Sequence, residues 1–261
     1  MKVIYYYQTF VGLDKLLTHR EDVDVIIVSS IHFGKNKENQ LGIYLNDNKP
    51  DDKLFDELWL QTEKLSNEGC TIMLMMGGAG GAYQELFSDF ETYYGLLVDM
   101  IQKRPWIKGI DLDVEEEVQI SNIQMLIQRI VKDFGEDFII TMAPISPSLM
   151  EDGGSMAGFS YKELYKSSVG KYIHWFNAQC YYSFSKYTYD SIIRNGYPSK
   201  KIVMGMESGQ FDDKGFEGAL KNVKEIKKQY PDMGGVYDWE YLDAPPNAKD
   251  PSEWAKLMKG C

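Results

Sequence analysis

The sequence predicts a single (β/α)8 TIM barrel with a parallel eight-stranded core, on three observations: eight short apolar runs, helical stretches between them, and a length of 261 residues. The runs are rich in Val, Ile and aromatic residues with polar flanks, as buried strands are. They are Val3–Tyr7, Val23–Ser29, Thr71–Met76, Ile107–Asp113, Phe138–Met142, Ile173–Gln179, Lys201–Met206 and Gly235–Asp238. Alternation of strand and helix favours parallel pairing, and eight repeats favour a closed barrel over the alternative, an open doubly wound sheet.

The segments between the runs complete this prediction. Apolar residues recur at helical spacing in four of them: Leu54–Ser66, Phe90–Gln102, Ile120–Phe134 and Gly218–Tyr230. Long polar segments follow the second and fifth runs, Gly34–Lys53 and Ser146–Ser160, and predict loops at the carboxyl ends of the strands, where barrel active sites lie. Because no linker interrupts the chain, we expect one domain over residues 1–261.

Composition narrows the classes of partner. The formal net charge is −11, which argues against binding to nucleic acid and is compatible with a neutral substrate such as a sugar. The three cysteines, Cys70, Cys180 and Cys261, form no closely spaced pair, so we expect neither a disulfide framework nor a metal site. We also expect no cofactor, and an acidic monomer.

The sequence offers no membrane anchor. No apolar run approaches the length of about 18 residues that a membrane span needs. The residues after Met1 read as a strand rather than as a secretory signal. We therefore expect a cytoplasmic protein, unless this chain is the mature part of a secreted precursor.

The segment Lys108–Glu115 carries the clearest chemical signal. Side chains alternate along a strand, so three carboxyl groups should face the barrel interior and its upper rim: Asp111, Asp113 and Glu115. Like-charged groups this close share protons, and their pKa values move apart, which suits acid–base catalysis. A solvated acidic face is the first alternative, although parallel strands are normally buried on both sides. A Mg²⁺ site is the second.

This segment resembles the Asp-x-x-Asp-x-Asp-x-Glu signature of family 18 glycoside hydrolases, which closes the fourth barrel strand of that family. Asp111, Asp113 and Glu115 match its last three acids. Four other segments match further strands in the family's order: Met75–Gly78, Ile140–Pro144, Asn177–Tyr181 and Gly234–Glu240. The resemblance covers most of the chain and is greatest to a fungal and bacterial branch of small chitinases and endo-β-N-acetylglucosaminidases that act on N-glycans.

The resemblance implies a retaining endo-glycosidase that cuts β-1,4 linkages between N-acetylglucosamine (GlcNAc) residues of N-glycan cores or chitin oligosaccharides. Family 18 uses substrate-assisted catalysis, an exception to the two-carboxylate scheme. Carried over, Glu115 is the general acid and base, and Asp113 holds the acetamido N–H of the substrate. Asp111 modulates Asp113 through a shared proton, and Tyr181 donates a hydrogen bond to the acetamido oxygen.

The same resemblance suggests which residues bind the sugar. Trp239 occupies the position of the tryptophan on the floor of the subsite, and its flat apolar ring could stack on a sugar. Further candidates for substrate binding are Gln179, Asn177, Gly77 and Gly78. Asn177, Gln179 and Tyr181 share one parity on a strand, so we expect all three to face the same side.

Two departures from the family pattern bear on activity. Lys108 replaces the first acid of the signature, and Met75 replaces a serine that could donate a hydrogen bond to Asp111. Lys108 either lies at the base of the strand or reaches Asp111 and disturbs the shared proton. A barrel that binds carbohydrate without catalysis is therefore the alternative function. The resemblance also predicts non-proline cis peptides at His32–Phe33 and Trp239–Glu240.

Overall fold

Eight parallel strands close into a cylinder in the computed structural model, which describes residues 1–151, 154–210 and 213–261, without the side chains of residues 213 and 214. These eight strands are β1 (Lys2–Tyr7), β2 (Val25–Lys35), β4 (Thr71–Gly77), β5 (Ile107–Asp113), β6 (Ile139–Met142), β7 (Ile173–Gln179), β8 (Ile202–Glu207) and β9 (Gly235–Trp239). A ninth strand of the described residues, β3 (Leu41–Leu45), pairs antiparallel with β2 and is not part of the cylinder. β1 closes the cylinder by pairing in parallel with β2 on one side and β9 on the other. The predicted TIM barrel is confirmed.

Helices connect the strands along the outside of the cylinder. They are α1 (Asp14–Thr18), α2 (Asp56–Asn67), α3 (Tyr83–Ser88), α4 (Phe90–Gln102), α5 (Ile120–Phe134), α6 (Ser146–Met150), α7 (Tyr161–Lys166), α8 (Lys186–Arg194), α9 (Asp213–Gln229) and α10 (Ser252–Lys259). The bounds predicted for α4 and α5 are those observed. The helices that were not predicted have nine residues or fewer, which is too short to show an apolar period. No helix in the described ranges could cross a bilayer.

The prediction of a loop over Gly34–Lys53 is wrong for Gly34, Lys35 and Leu41–Leu45, which lie in strands. β2 continues to Lys35, and β3 returns antiparallel to its upper half, with Ile31 opposite Leu45 and Lys35 opposite Leu41. The turn between the strands is built on the Asn36 side chain, whose Oδ1 accepts hydrogen bonds from the backbone N–H groups of Glu38 and Gln40. Polar composition alone does not predict a turn of this kind, because it depends on the hydrogen bonds of one asparagine side chain.

The second predicted loop, Ser146–Ser160, also contains regular structure. Its first residues form α6, with Pro147 in the first turn, where the missing N–H of proline is harmless. The loop prediction is therefore wrong for Ser146–Met150. Asp152 and Gly153 lie outside the described residues.

The alternation of side chains separates two apolar regions. The larger lies between the strands and the helices. The smaller fills the inside of the cylinder and includes Ile4, Tyr6, Met73, Met75 and Tyr237. The interior is thus a packed core, as in other barrels, and polar groups enter it only near the carboxyl ends of the strands.

A glycine in β8 makes room for one of the interior rings. Gly205 pairs with Tyr237 of β9, and a Cβ atom on Gly205 would lie 1.9 Å from the Tyr237 ring. The Tyr237 ring therefore occupies the space that any larger residue at position 205 would need.

We expect Gly205→Ala to lower the free energy of unfolding by about 3 kcal/mol, the upper end for an overpacked core. Gly95→Ala is the matched control, because Gly95 lies exposed in α4 with no atom within 4 Å of the added Cβ. Helix propensity should make the control more stable by about 0.5–1 kcal/mol. Urea unfolding of both variants measures the difference, and equal stabilities would contradict the packing argument.

Candidate active site

Three acidic side chains line the interior at the upper end of β5. Asp111 is completely buried, Asp113 is 5% exposed, and Glu115, two residues beyond the strand, is partly exposed. The three carboxyl groups thus form a series from the packed interior to the mouth of the barrel. The structure confirms that they share one side of the strand, and a solvated acidic face is excluded.

Asp111 is held by donors that carry no charge. Its Oδ1 accepts hydrogen bonds from Thr141 Oγ1 at 2.5 Å and Asn177 Nδ2 at 3.0 Å, and its Oδ2 accepts one from Tyr6 Oη at 2.7 Å. Burial raises the pKa of Asp111, and these hydrogen bonds partly offset that rise. The carboxyl group is therefore fixed from three strands.

Asn177 serves Asp111 rather than the open cleft. It is completely buried, and its own Oδ1 accepts a hydrogen bond from Trp175 Nε1 at 2.9 Å. Because the mouth of the barrel does not reach this side chain, we assign Asn177 to the support of Asp111 and not to direct contact with a sugar. Sequence parity placed it correctly on the inner face but could not show how deep it lies.

Gln179 connects the two upper acids. Its Nε2 lies 3.1 Å from Asp113 Oδ1, 3.3 Å from Glu115 Oε1 and 2.8 Å from the carbonyl oxygen of Ala143. One amide group therefore holds the carboxyl groups of Asp113 and Glu115 side by side. Burial, followed by the charges of Glu115 and Asp111, raises the pKa of Asp113 well above its usual range.

A pair of tyrosines lies beside these acids. The hydroxyl of Tyr237 donates to that of Tyr181 over 3.3 Å. Tyr181 therefore accepts one hydrogen bond from the protein and keeps its own O–H proton for another acceptor. Burial raises the pKa of Tyr181 well above its usual range, so the hydroxyl is a neutral donor.

Trp239 ends β9 at the mouth of the barrel. Its ring packs against Tyr6, with centroids 5.4 Å apart, and the side chain is partly exposed. The predicted cis peptide between Trp239 and Glu240 is present. The one predicted at His32–Phe33 is wrong, because the cis peptide of β2 lies earlier, between Ser29 and Ser30, and β2 continues beyond both sites as an arm of the hairpin.

Two glycines bring the end of β4 against the end of β5. Gly77 and Gly78 have φ angles of 98° and 80°, which favour glycine. A Cβ on Gly77 would lie 2.2 Å from the carbonyl oxygen of Asp113, and one on Gly78 would lie 3.3 Å from Asp113 Oδ2. The pair therefore leaves the Asp113 carboxyl group uncovered. A direct contact of these glycines with substrate stays a prediction.

Sequence reading missed a role for Glu116. Its carboxylate accepts hydrogen bonds from the backbone N–H groups of Ala82 at 2.5 Å, Tyr83 at 2.6 Å and Gln84 at 3.3 Å. It thereby ties the glycine-rich loop after β4 to the residue next to Glu115. The available signal was a run of three acids, which cannot show that the middle one turns toward a neighbouring loop.

The two departures from the family pattern have structural answers. Lys108 is exposed at the base of β5, where its Nζ donates to the carbonyl oxygen of Pro105 over 2.7 Å, so it does not reach Asp111. Met75 is buried in the barrel interior opposite Asp111. Thr141, Asn177 and Tyr6 supply the hydrogen bonds to Asp111, so no serine is needed at position 75.

The acids themselves are poorly suited to a resident cation. The oxygen atoms of Asp111 and Oδ1 of Asp113 already accept hydrogen bonds from hydroxyl and amide groups. Within the described ranges, the side chains close enough to share an ion are His19, Glu21 and Asp22, which precede β2 at the opposite end of the barrel. Exposed acidic clusters of this kind are common without any ion.

Comparison with known proteins gives clear structural relatives. A fungal endo-β-N-acetylglucosaminidase from glycosyl hydrolase family 18 superposes with a TM-score of 0.87 at 31% sequence identity, covering 99% of this chain and 97% of the other. A chitinase from Aspergillus fumigatus gives 0.84 at 32% identity, covering 98% of each chain. A family 18 chitinase from Pseudoalteromonas aurantia, at 22% identity and a TM-score of 0.78, shares the fold.

No protein-family model and no curated protein sequence matches the chain. The evidence for kinship is therefore the structural likeness, which spans nearly the whole of both chains at more than 30% identity for two proteins. The chain belongs to glycoside hydrolase family 18.

Proposed function

We propose that this protein is a retaining endo-glycosidase that hydrolyses β-1,4 linkages between GlcNAc residues by substrate-assisted catalysis. The observation that carries the proposal is the pair of carboxyl groups of Asp113 and Glu115, bridged by the amide of Gln179 at the mouth of the barrel. The likeness to a family 18 endo-β-N-acetylglucosaminidase and to a chitinase from Aspergillus fumigatus, each more than 30% identical, supports GlcNAc-containing glycans as the substrate class.

In the proposed reaction Glu115 first acts as the general acid. It is the outermost of the three acids and partly exposed, so a glycosidic oxygen in the cleft can approach it. The proton moves from Glu115 to that oxygen as the bond to the anomeric carbon breaks. The acetamido carbonyl oxygen of the substrate attacks the anomeric carbon and gives an oxazolinium ion. Glu115, now a carboxylate, takes a proton from the water that opens this ring, and configuration is retained.

Asp113 stabilises the intermediate in this scheme. A carboxylate that accepts a hydrogen bond from the acetamido N–H orients the carbonyl for attack and offsets the positive charge that develops. Asp111 lies directly beneath, and its three neutral donors leave it able to share a proton with Asp113. The hydroxyl of Tyr181, with its own proton free, would donate to the acetamido oxygen. Trp239 would form the floor on which the sugar stacks.

Product analysis tests the proposal directly and separates the two candidate substrates. The protein is incubated with chitin oligosaccharides and, separately, with a high-mannose glycopeptide, and mass spectrometry identifies the bond that is cut. We expect cleavage between two GlcNAc residues in at least one case, with the β anomer as the first product by NMR. Binding of GlcNAc oligomers without any product would instead make the protein a carbohydrate-binding barrel.

Glu115→Gln should lower kcat roughly 10²- to 10⁴-fold, the usual contribution of a positioned general acid. The amide has the size of the acid but cannot donate its proton to a leaving group, so the thermal unfolding temperature should change little. Steady-state kinetics on the substrate found by product analysis measures the loss. Turnover like that of the wild type would end the assignment of Glu115.

Asp113→Asn should impair turnover while leaving binding intact, and it should change the pH dependence of stability. Burial and the neighbouring acids raise the pKa of Asp113 in the folded state above the value of about 3.9 in an unfolded chain. Between those two pKa values the folded protein binds more protons than the unfolded chain, so wild-type stability falls as pH rises.

The variant lacks this group, so its free energy of unfolding should increase relative to that of the wild type as the pH rises above about 4. Urea unfolding at a series of pH values measures this difference. A difference that stays constant or decreases with pH would show that Asp113 is not the group that holds the proton.

Glu116→Ala should lower both stability and activity, because three backbone N–H groups lose their acceptor. We expect a loss of about 1–3 kcal/mol in the free energy of unfolding and a roughly tenfold fall in kcat/KM through displacement of the loop beside Asp113. Glu117→Ala is the matched control, since the Glu117 side chain is exposed. Equal behaviour of the two variants in urea unfolding and kinetics would contradict the proposed tie.

A further inference from the structure

A fourth acid is buried near the site, on the other side of the sheet. Asp238 alternates with Tyr237 and Trp239 along β9, so its side chain faces away from the barrel interior, and it is completely buried. None of the chemistry proposed above uses it. A buried carboxyl group with no evident task needs a physical explanation, because an unpaired buried charge is costly.

The hydrogen bonds of Ser208 identify the protonation state of Asp238. Ser208 Oγ lies 2.7 Å from Asp238 Oδ2 and 2.7 Å from the carbonyl oxygen of Glu240. A serine hydroxyl has one proton, so it can donate to only one of these two oxygen atoms. If Asp238 were ionised, the other contact would place two unprotonated acceptors against each other. If Asp238 carries a proton, it donates to Ser208, Ser208 donates to Glu240, and both contacts are satisfied.

The surroundings of Asp238 agree with a neutral group. Its Oδ1 has no hydrogen-bond partner within the described part of the chain. The charged groups that act on it are the carboxylates of Glu240 and Asp243, and the phenols of Tyr5 and Tyr181 also lie within electrostatic reach. Burial first, and these two carboxylates second, raise the pKa of Asp238 well above its usual range, whereas the bond to Ser208 lowers it.

The chain of hydrogen bonds ends on the residue that follows Trp239. Glu240 is held at its carbonyl oxygen by Ser208, and its Oε2 accepts hydrogen bonds from the backbone N–H groups of Gln8 at 2.9 Å and Thr9 at 3.2 Å. Two independent anchors therefore fix the direction in which the chain leaves β9. Trp239 lies immediately before this fixed point, so its ring is oriented by the anchors together with Tyr6.

We propose that Asp238 is a neutral carboxylic acid that donates its proton to Ser208 and thereby positions Trp239 for stacking on a sugar. Asp238 is a positioning residue, since it acts through Ser208 and Glu240 and touches no substrate. The link to sugar binding rests on the function proposed above, whereas the protonation of Asp238 does not.

Two substitutions of similar size test whether Asp238 acts as a hydrogen-bond donor or only fills space. Asp238→Asn keeps a donor toward Ser208 through its amide and should leave KM for the identified glycan within about twofold of the wild type. Asp238→Leu fills the space without donating and should raise KM roughly three- to tenfold, the equivalent of one lost hydrogen bond, with a smaller change in kcat. If both variants raised KM equally, an ionised Asp238 would be required, which contradicts the proposal. If neither variant changed KM, Asp238 would not position Trp239.

Infrared spectroscopy tests the protonation without any need for activity. The wild type at neutral pH should show the carbonyl band of a protonated, hydrogen-bonded carboxylic acid, and Asp238→Asn should lack it. If that variant fails to fold, Ser208→Ala serves instead, because removal of the acceptor should move the same band to higher frequency. If neither variant differs from the wild type in a carboxylic acid band, the proposal is overturned. If the substitutions alter the band but the wild type shows no turnover, only the proposed function is contradicted, and the protonation of Asp238 stands.

Discussion

The site depends on one electrostatic constraint: carboxyl groups are placed inside a packed barrel, and no basic side chain among the described residues is bonded to them. Asp111 satisfies its oxygen atoms with a phenol, a hydroxyl and an amide, all neutral. Neutral donors stabilise a carboxylate without cancelling its charge, so Asp111 continues to act on Asp113 above it. Burial, followed by the charges of Glu115 and Asp111, therefore raises the pKa of Asp113. A lysine or arginine at this depth would oppose that rise.

The barrel supplies the geometry that makes this constraint productive. Parallel strands with alternating side chains place Asp111, Asn177 and Thr141 at one level and Asp113 with Gln179 at the next. Close approach of the strands needs small residues at certain points. At Gly109 a Cβ would lie 2.6 Å from the carbonyl oxygen of Ile139 on the neighbouring strand. The positions of the acidic side chains are thus set by the close packing of the strands and not by the loops alone.

Strand alternation was enough to predict the barrel and the shared face of the three acids, and apolar residues at helical spacing were enough to predict α4 and α5. These features depend on local alternation, which is visible in one sequence. The hairpin of β2 and β3 was missed because its turn is made by side-chain hydrogen bonds of Asn36. The roles of Tyr6, Thr141 and Glu116 were missed because each acts on another strand or loop, and only the closed barrel shows which residues meet. Thr141, a polar residue within a buried strand, was the clearest unused signal.

Asp113 and Asp238 show how the partner of a buried acid decides its use. Both are removed from water, and burial is the main cause that raises the pKa of each well above its usual range. Asp113 shares the amide of Gln179 with a second carboxyl group, that of Glu115, at the open end of the barrel. Asp238 faces a hydroxyl whose own proton is committed to a carbonyl oxygen, so its proton has no alternative place. In the roles proposed above, an aspartate therefore holds the substrate on the inner side of the sheet and fixes the backbone on the outer side.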